Sequence, residues 1–584
     1  MLTIAYVTGK AARGWRASLF LIVGLLCMAS SSAARSQEVV YADMVLLNGK
    51  VVTMDDTLRQ AEALGILHEW IVAVGSDSFV RSYVGPETRV IDLEGKLAIP
   101  GFIDGHGHFL SLGRSKMRLN LSDVAGWNDI VALVEEAVGR AEPGEWILGR
   151  GWHQEKWTEV PEQTVEGYPT HHSLSGVSSQ NPVMLTHASG HAVIVNAKAM
   201  ELAGITPYTP DPSGGRILRS EDGALTGVFI EEAEELIDEA LEKDRAKRTP
   251  EQVEEEKRRA VALAAEECLS KGITSFQDAA SSFEDIDLFK KLVDEGRLPI
   301  RLWVMIDEDN VELRQRLANY RIIRMAGDRL AVLAIKRFMD GALGSRGAWL
   351  LEPYADLPRS SGLRTISTDS LKETARLAIE NGFQLCTHAI GDRANREVLD
   401  VYESVFKEYP DKKGLRWRIE HAQHLDPSDI PRFSELGIIA SMQPIHCTSD
   451  APWVPKRIGE KRAKEGAYVW QKLIKSGAVV TSGTDAPVED VDPMANFYAA
   501  VTRKLEDGTA FYPDQRMSRE EALKSYTLNC AYAAFQEGRK GSITRGKLAD
   551  IVVLSKDIMT IPAEEILDTK VLYTIVGGEI MYQR

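Results

Sequence analysis

The sequence predicts an α/β fold: a parallel (β/α)8 TIM barrel, a small β-domain formed from both termini, and an inserted subdomain after the first barrel strand. Three observations predict it. Apolar runs alternate with helical stretches through the middle of the chain, the pattern of a parallel sheet with crossover helices. Both ends read instead as short strands joined by tight turns. One connection, after the first run, is far longer than a loop should be.

Eight runs qualify as buried strands: Leu97–Ile103, Ile273–Phe276, Ile300–Met305, Ala331–Phe338, Phe383–Thr387, Trp417–Ile419, Ile438–Met442 and Val479–Thr481. Helices lie between most of them. Thr249-Pro250-Glu251-Gln252 is a capping box with proline in the first turn, and Gly272 stops that helix. Ser518-Arg519-Glu520-Glu521 opens another in the same way. Eight strands with crossover helices fit a barrel. At the N-terminal end, Asn48-Gly49 marks a hairpin between Met44-Val45-Leu46-Leu47 and Lys50-Val51-Val52-Thr53-Met54. The tail mirrors it, with Gly577-Gly578 between two apolar runs. The division is therefore 37–96 and 537–584 for the terminal β-domain and 97–536 for the barrel, with an insertion at about 110–248.

Residues 1–36 differ from the rest. They carry Lys10, Arg13, Arg16 and Arg35, no acid, an apolar run from Ala17 to Ala29, and a small-residue end. That is the anatomy of a signal peptide, so the protein is expected to be exported, periplasmic or secreted. The run is short for a membrane span. Its loss would take the formal net charge from -16 to -20. Such acidity argues against nucleic acid and anionic membranes as partners and leaves a small-molecule substrate, with a homo-oligomer open to the chain. Five scattered cysteines form no disulfide framework.

Active sites of barrels lie at the C-terminal strand ends. Those ends read His106 and His108, Asp278, Lys336, His388, His421, Gln443 and Asp485. His106 and His108 alternate on one strand and so point to the same side, with Gly107 leaving room between them. Neutral imidazole is a common metal ligand, and this many metal-type residues at one face point to a metal centre. Lys336 closes an apolar run, where a charge is costly. A neutral amine there can react with carbon dioxide to give a metal-bridging carbamate; the alternative is an ammonium paired with Asp340 or Asp278. His424, three residues past His421, reads as a supporting or surface residue.

Several motifs join these residues: Pro100-Gly101-Phe102-Ile103-Asp104-Gly105-His106-Gly107-His108, Gly190-His191-Ala192-Val193-Ile194-Val195-Asn196, and Asp340-Gly341-Ala342-Leu343-Gly344-Ser345-Arg346. Gly391-Asp392-Arg393-Ala394-Asn395, Ser482-Gly483-Thr484-Asp485-Ala486-Pro487 and the run from Gly541 to Asp550 complete the set. From about Tyr41 onward the chain resembles the amidohydrolase superfamily, in the subgroup that includes N-substituted formamide deformylase. The resemblance implies a metal-dependent barrel with a β-sandwich from both termini. It implies His106, His108, His388, His421 and Asp485 as metal ligands, Lys336 as the bridging position, Asp485 as acid–base residue and His191 as oxyanion or substrate contact. It also puts Trp152, His153 and Arg346 on substrate-facing loops.

The expected cofactor is a divalent metal, zinc foremost, as one or two ions, with N6-carboxylysine at Lys336. The expected reaction is attack of metal-activated hydroxide on a non-peptide C–N bond of N-acyl or N-formyl type. Two other classes fit the same residues: an ester or phosphotriester hydrolase on the same scaffold, and a non-enzymatic exported binding or regulatory protein.

Overall fold

The computed structural model describes residues 41–584, less 123, 155, 156, 160, 162, 188–191, 213 and 214. The expected leader and His191 lie outside the described residues.

Eight parallel strands run in chain order around the barrel: Phe102–Gly107, Ile273–Ser281, Arg301–Ile306, Leu330–Phe338, Gln384–Ala389, Arg418–His421, Ile439–Met442 and Val480–Ser482. Their outward faces are apolar, as a sheet covered by helices requires, while the inward face also carries buried Gln277, Lys336, Arg418 and Glu420. The sequence expectation of one strand from Leu97 to Ile103 is corrected. The chain forms two strands there, Leu97–Pro100 and Phe102–Gly107. The first pairs with Ile551–Leu554 and Lys50–Val52, outside the barrel. The break falls at Gly101, where an added Cβ would lie 2.2 Å from Thr274 Oγ1. Only a residue without a side chain lets the backbone pass from one sheet to the other at that separation.

The terminal strands make two sheets. One has four strands, Met44–Leu47, Ala63–Leu67, Trp70–Gly75 and Arg89–Asp92; the other has six and combines Leu97–Pro100 with Ile551–Leu554, Val571–Val576 and Glu579–Gln583. Met44, Leu46, Leu64 and Ile66 share a core with Val51, Ala98, Ile551 and Val553, so the sheets pack face to face. Val45 and Leu47 alternate to the other face, against the short helix Asp77–Arg81.

The insertion carries its own six-stranded sheet, including Ile147–Trp152, Val183–His187, Ala192–Val195 and Leu225–Glu231. Alternation divides its side chains between two cores. Met184, Val193, Val195 and Phe229 face helix Glu235–Arg245, while Leu185, Ile194, Val228 and Trp152 face helix Trp127–Val138.

The first and last barrel strands meet at the mouth. Asp485 N–H donates to His106 O (2.7 Å) and His108 N–H to Ala486 O (2.8 Å). Directly after His108 the chain turns into helix Phe109–Lys116, which packs on helix Pro250–Ser270. The contact is close because of Gly113, whose added Cβ would sit 1.8 Å from Ala260 O. Gly113→Ala should therefore destabilise the protein by about 2–3 kcal/mol through overpacking against backbone. A denaturant midpoint unchanged from wild type would refute that helix contact.

Candidate active site

His106 ends the first barrel strand and is fully buried. Its Nδ1–H donates to Glu420 Oε2 (2.5 Å), which turns the Nε2 lone pair toward Asp485 Oδ1, 3.6 Å away. His421 repeats the arrangement: Nδ1–H donates to Gln443 Oε1 (2.8 Å), freeing Nε2. His106, His421 and Asp485 form a group whose ligand atoms all lie within 4.8 Å of one another. His108 Nε2 is 3.2 Å from Asp485 Oδ1. His388 stands beyond His421, with ring centroids 4.5 Å apart, and its Nε2 is 3.4 Å from Asp340 Oδ1. Lys336 Nζ is 3.4 Å from His106 Nε2, and Lys336 is buried inside a strand that continues to Phe338. The structure thus groups His106, His421 and Asp485, with His108, Lys336 and His388 each beside one of them.

The electrostatics suit ligation. Burial, aided by Lys336, pushes His106 down to about 4 against the pull of Glu420 and Asp485. Burial and the neighbouring His388 and His106 hold His421 well below its ordinary value. Burial pushes Asp485 up, but His108, His421, His106 and His446 reverse this and keep its pKa well below the carboxylate range. Burial also lowers the Lys336 amine. The shifts of His106 and His421 favour the neutral imidazole and that of Asp485 the carboxylate, the forms in which these groups ligate a metal. Among the described residues no well-directed hydrogen bond reaches the buried Asp485 Oδ1, with His108 Nε2 standing 3.2 Å away. A buried anion so placed is costly, and a cation among these donors would satisfy it. The residues fit a divalent metal. His421 and Asp485 both have positive φ, 76° and 59°. The chain holds two non-glycine residues in the left-handed region where their side chains turn into the site.

The loop candidates divide differently. Trp152, expected on a substrate-facing loop, is instead a core residue. It is fully buried in the insertion, and its indole N–H donates to Leu185 O (2.8 Å). Strand alternation points it into the cluster of Trp127 and Leu174. His153 follows the strand and lies against His187, ring centroids 4.6 Å apart. Arg346 is engaged by Asp356, with Nη2 to Oδ2 at 2.9 Å, inside its own loop. Asp278 accepts from Phe109 N–H (2.9 Å) and holds the turn after His108.

Four more residues complete the site; of these the sequence reading names only Asp340, as a partner for Lys336. Glu420 binds His106. Arg418 binds Glu420 through Nε (2.7 Å) and reaches Gln277 Oε1 (2.5 Å), Gly105 O (2.6 Å) and Ser441 Oγ (2.7 Å). Asp340 accepts from the backbone N–H groups of Trp349, Ile390 and Gly391. His446 Nε2 lies 3.9 Å from Asp485 Oδ2. The signal for the first two was the alternation in Arg418-Ile419-Glu420, which points both charges inward.

His424 is not a surface residue. It is 2% exposed, and among the described residues neither ring nitrogen closes a hydrogen bond.

The chain matches the amidohydrolase family over residues 89–582. It belongs to that family. It is 33% identical to Protein LONG AFTER FAR-RED 3 of Arabidopsis thaliana over 93% of this chain and 92% of that one. It is 28% identical to N-substituted formamide deformylase of Arthrobacter pascens, over 93% and 98%. Among solved structures it is similar to an uncharacterized metal-dependent hydrolase from Pyrococcus furiosus, with TM-score 0.69 and 28% identity over 88% of this chain and all of that one. The protein is a metal-dependent hydrolase of the amidohydrolase superfamily.

Two outcomes follow from these buried groups. Glu420→Gln should weaken metal binding about 10–100-fold, the usual cost of losing a supporting partner of a ligand; metal titration giving wild-type affinity would refute the role of Glu420. Burial lowers the His424 pKa from 6.5 to about 3, with Arg462 adding to the shift. The unfolded chain then takes the proton first, so stability is lost as pH falls from 6.5 toward 3. His424→Phe should remove about 2–3 kcal/mol of the stability difference between about pH 7 and about pH 4.5. Denaturant titrations at the two pH values check this, and equal acid sensitivity would refute it.

Proposed function

We propose that the chain is an exported, zinc-dependent hydrolase of non-peptide C–N bonds of N-acyl or N-formyl type. One observation carries the reading: the ligand atoms of His106, His421 and Asp485, all buried, lie within 4.8 Å of one another at the mouth of an amidohydrolase-family barrel. Similarity to a formamide deformylase favours the N-formyl end of the range. Nitrogen and oxygen donors suit zinc.

The ligand set of this proposal is His106, His108, His388, His421 and Asp485, for one ion or two. A bound dication supplies Lewis acidity and brings the pKa of water toward about 7. Lys336 is assigned as N6-carboxylysine. Its neutral nitrogen adds to the carbon of carbon dioxide and loses a proton to solvent, so that a buried neutral amine becomes a carbamate anion. Asp485 takes the proton that the attacking water gives up and delivers it to the departing nitrogen. His191 is the residue that the resemblance assigns to the oxyanion.

The metal-loaded protein should release amine from a panel of N-formyl and N-acyl amines faster than it cleaves carboxylic esters or phosphotriesters. Preference for either of the latter would overturn the reading. Asp485→Asn keeps the shape and one oxygen, and should lower the rate by about 10²–10⁴ while the fold persists. Full activity in that variant would move proton transfer to another residue. Export implies a mature N-terminus between about Ala34 and Glu38. Recovery of Met1 by N-terminal sequencing of the protein from the exporting cell would refute cleavage.

A further inference from the structure

We infer that His446 is a catalytic hydrogen-bond donor, giving its Nε2–H to the amide carbonyl oxygen as that oxygen becomes an oxyanion; this rests on the amide-hydrolase reading above.

His446 sits in helix Pro444–Asp450, which follows the seventh barrel strand directly. The helix is anchored where Ile445 N–H donates to Asn496 Oδ1 (3.0 Å). The ring is buried and lies parallel to that of His421, with centroids 6.3 Å apart and planes 12° apart. It therefore faces the candidate metal group from the next strand of the barrel.

Its tautomer follows from one contact. Gln423 Nε2 is 3.1 Å from His446 Nδ1. An amide nitrogen only donates, so Nδ1 is the acceptor, and a neutral ring must carry its proton on Nε2. The main-chain carbonyl of Gln423 accepts from Tyr468 N–H (2.7 Å), which anchors the segment that carries this side chain. The lock sets His446 apart from His106 and His421. Those rings donate through Nδ1 and offer an Nε2 lone pair, whereas His446 accepts through Nδ1 and offers an Nε2 proton. The first arrangement makes a metal ligand; the second makes a donor.

Among the described residues that proton has no acceptor. Nε2 is buried and closes no hydrogen bond, and Asp485 Oδ2 lies beyond bonding distance at 3.9 Å. An unmet buried donor is costly and persists where a ligand meets it. The group that arrives next to Asp485 in the reaction is the substrate carbonyl, whose oxygen gains charge as water adds. A donor fixed before the reaction stabilises that charge without reorganising.

The test uses the full-length, metal-loaded protein and the N-formyl or N-acyl amine of the panel that it turns over best. His446→Ala should lower kcat about 10²–10³-fold. A donor used in the transition state lowers kcat and kcat/KM together, so KM should change little. His446→Gln, which can donate through its amide, should recover part of the loss. Gln423→Leu frees the tautomer and should cost about tenfold, as a lost supporting bond does. Metal content by elemental analysis and the thermal midpoint should stay near wild type in all three variants. Loss of metal in His446→Ala would make His446 a ligand and overturn the inference. An active wild type with unchanged kcat in His446→Ala would overturn it as well and leave the hydrolase reading intact. A wild type inert on the whole amide panel would overturn both.

Discussion

The ion pair of Arg418 and Glu420 is the constraint on which the site depends. Both charges are fully buried inside the barrel, where a bare pair recovers little of its desolvation cost. Arg418 is compensated by distributing its donors: Gly105 on the first strand, Gln277 on the second, Glu420 on the sixth and Ser441 on the seventh. Half the strands of the barrel are thus tied to one guanidinium. Burial raises the Glu420 pKa, but Arg418 and then His106 bring it well below the carboxylate range. It stays ionised and holds the proton of His106 on Nδ1. The network that ties the barrel interior together is the one that fixes a ligand tautomer.

The seam between the first and last strands obeys a similar economy of parts. Gly105 and Gly483 let the strands approach: a Cβ on the first would lie 2.6 Å from Ser482 O, and one on the second 2.4 Å from His106 N. Asp104 then spans the gap, accepting from His106 N–H (3.1 Å) and from Thr484 N–H (3.1 Å) and Oγ1–H (2.6 Å). Burial pushes Asp104 up to about 7 in spite of these bonds. His106 follows Asp104 by two residues, and Asp485 follows Thr484 directly. The pair of strands that closes the barrel therefore also brings imidazole and carboxylate together, and a shift in their register would separate them.

The fold class and the metal-type residues were legible because both depend on local pattern. Apolar runs of strand length, broken by capped helices, mark the eight strands, and the chemistry-bearing residues follow those runs directly. What escaped depends on direction. His421 was legible but Glu420 was not, although they are neighbours, because the positive φ at His421 turns its side chain to the mouth while Glu420 points inward. His446 stood one helical turn beyond a strand, where a lone histidine carries no pattern. Trp152 failed in the opposite sense. Its position near a loop suggested substrate contact, but the last residue of a strand still obeys alternation and faced the core. The run from Leu97 to Ile103 has no polar residue to mark its division, and the steric need for glycine at 101 exists only once Thr274 is packed against it.

The separation of cores bears on how such a site can keep its chemistry while its substrate changes. The insertion packs on both faces of its own sheet, and none of the residues in those two clusters belongs to the barrel core. Substitutions that reshape the insertion leave untouched the contacts that set His106, His421 and Asp485. The reverse does not hold for the barrel. Lys336, Glu420 and Arg418 have no exposed surface, and each touches a group that orients another. Removing Glu420 or Arg418 leaves a buried charge without its partner, which costs about 3–5 kcal/mol for a pair of this kind. Selection for a new substrate therefore finds tolerated changes in the insertion and on the loops past the strand ends. The charged interior varies only if several residues change together.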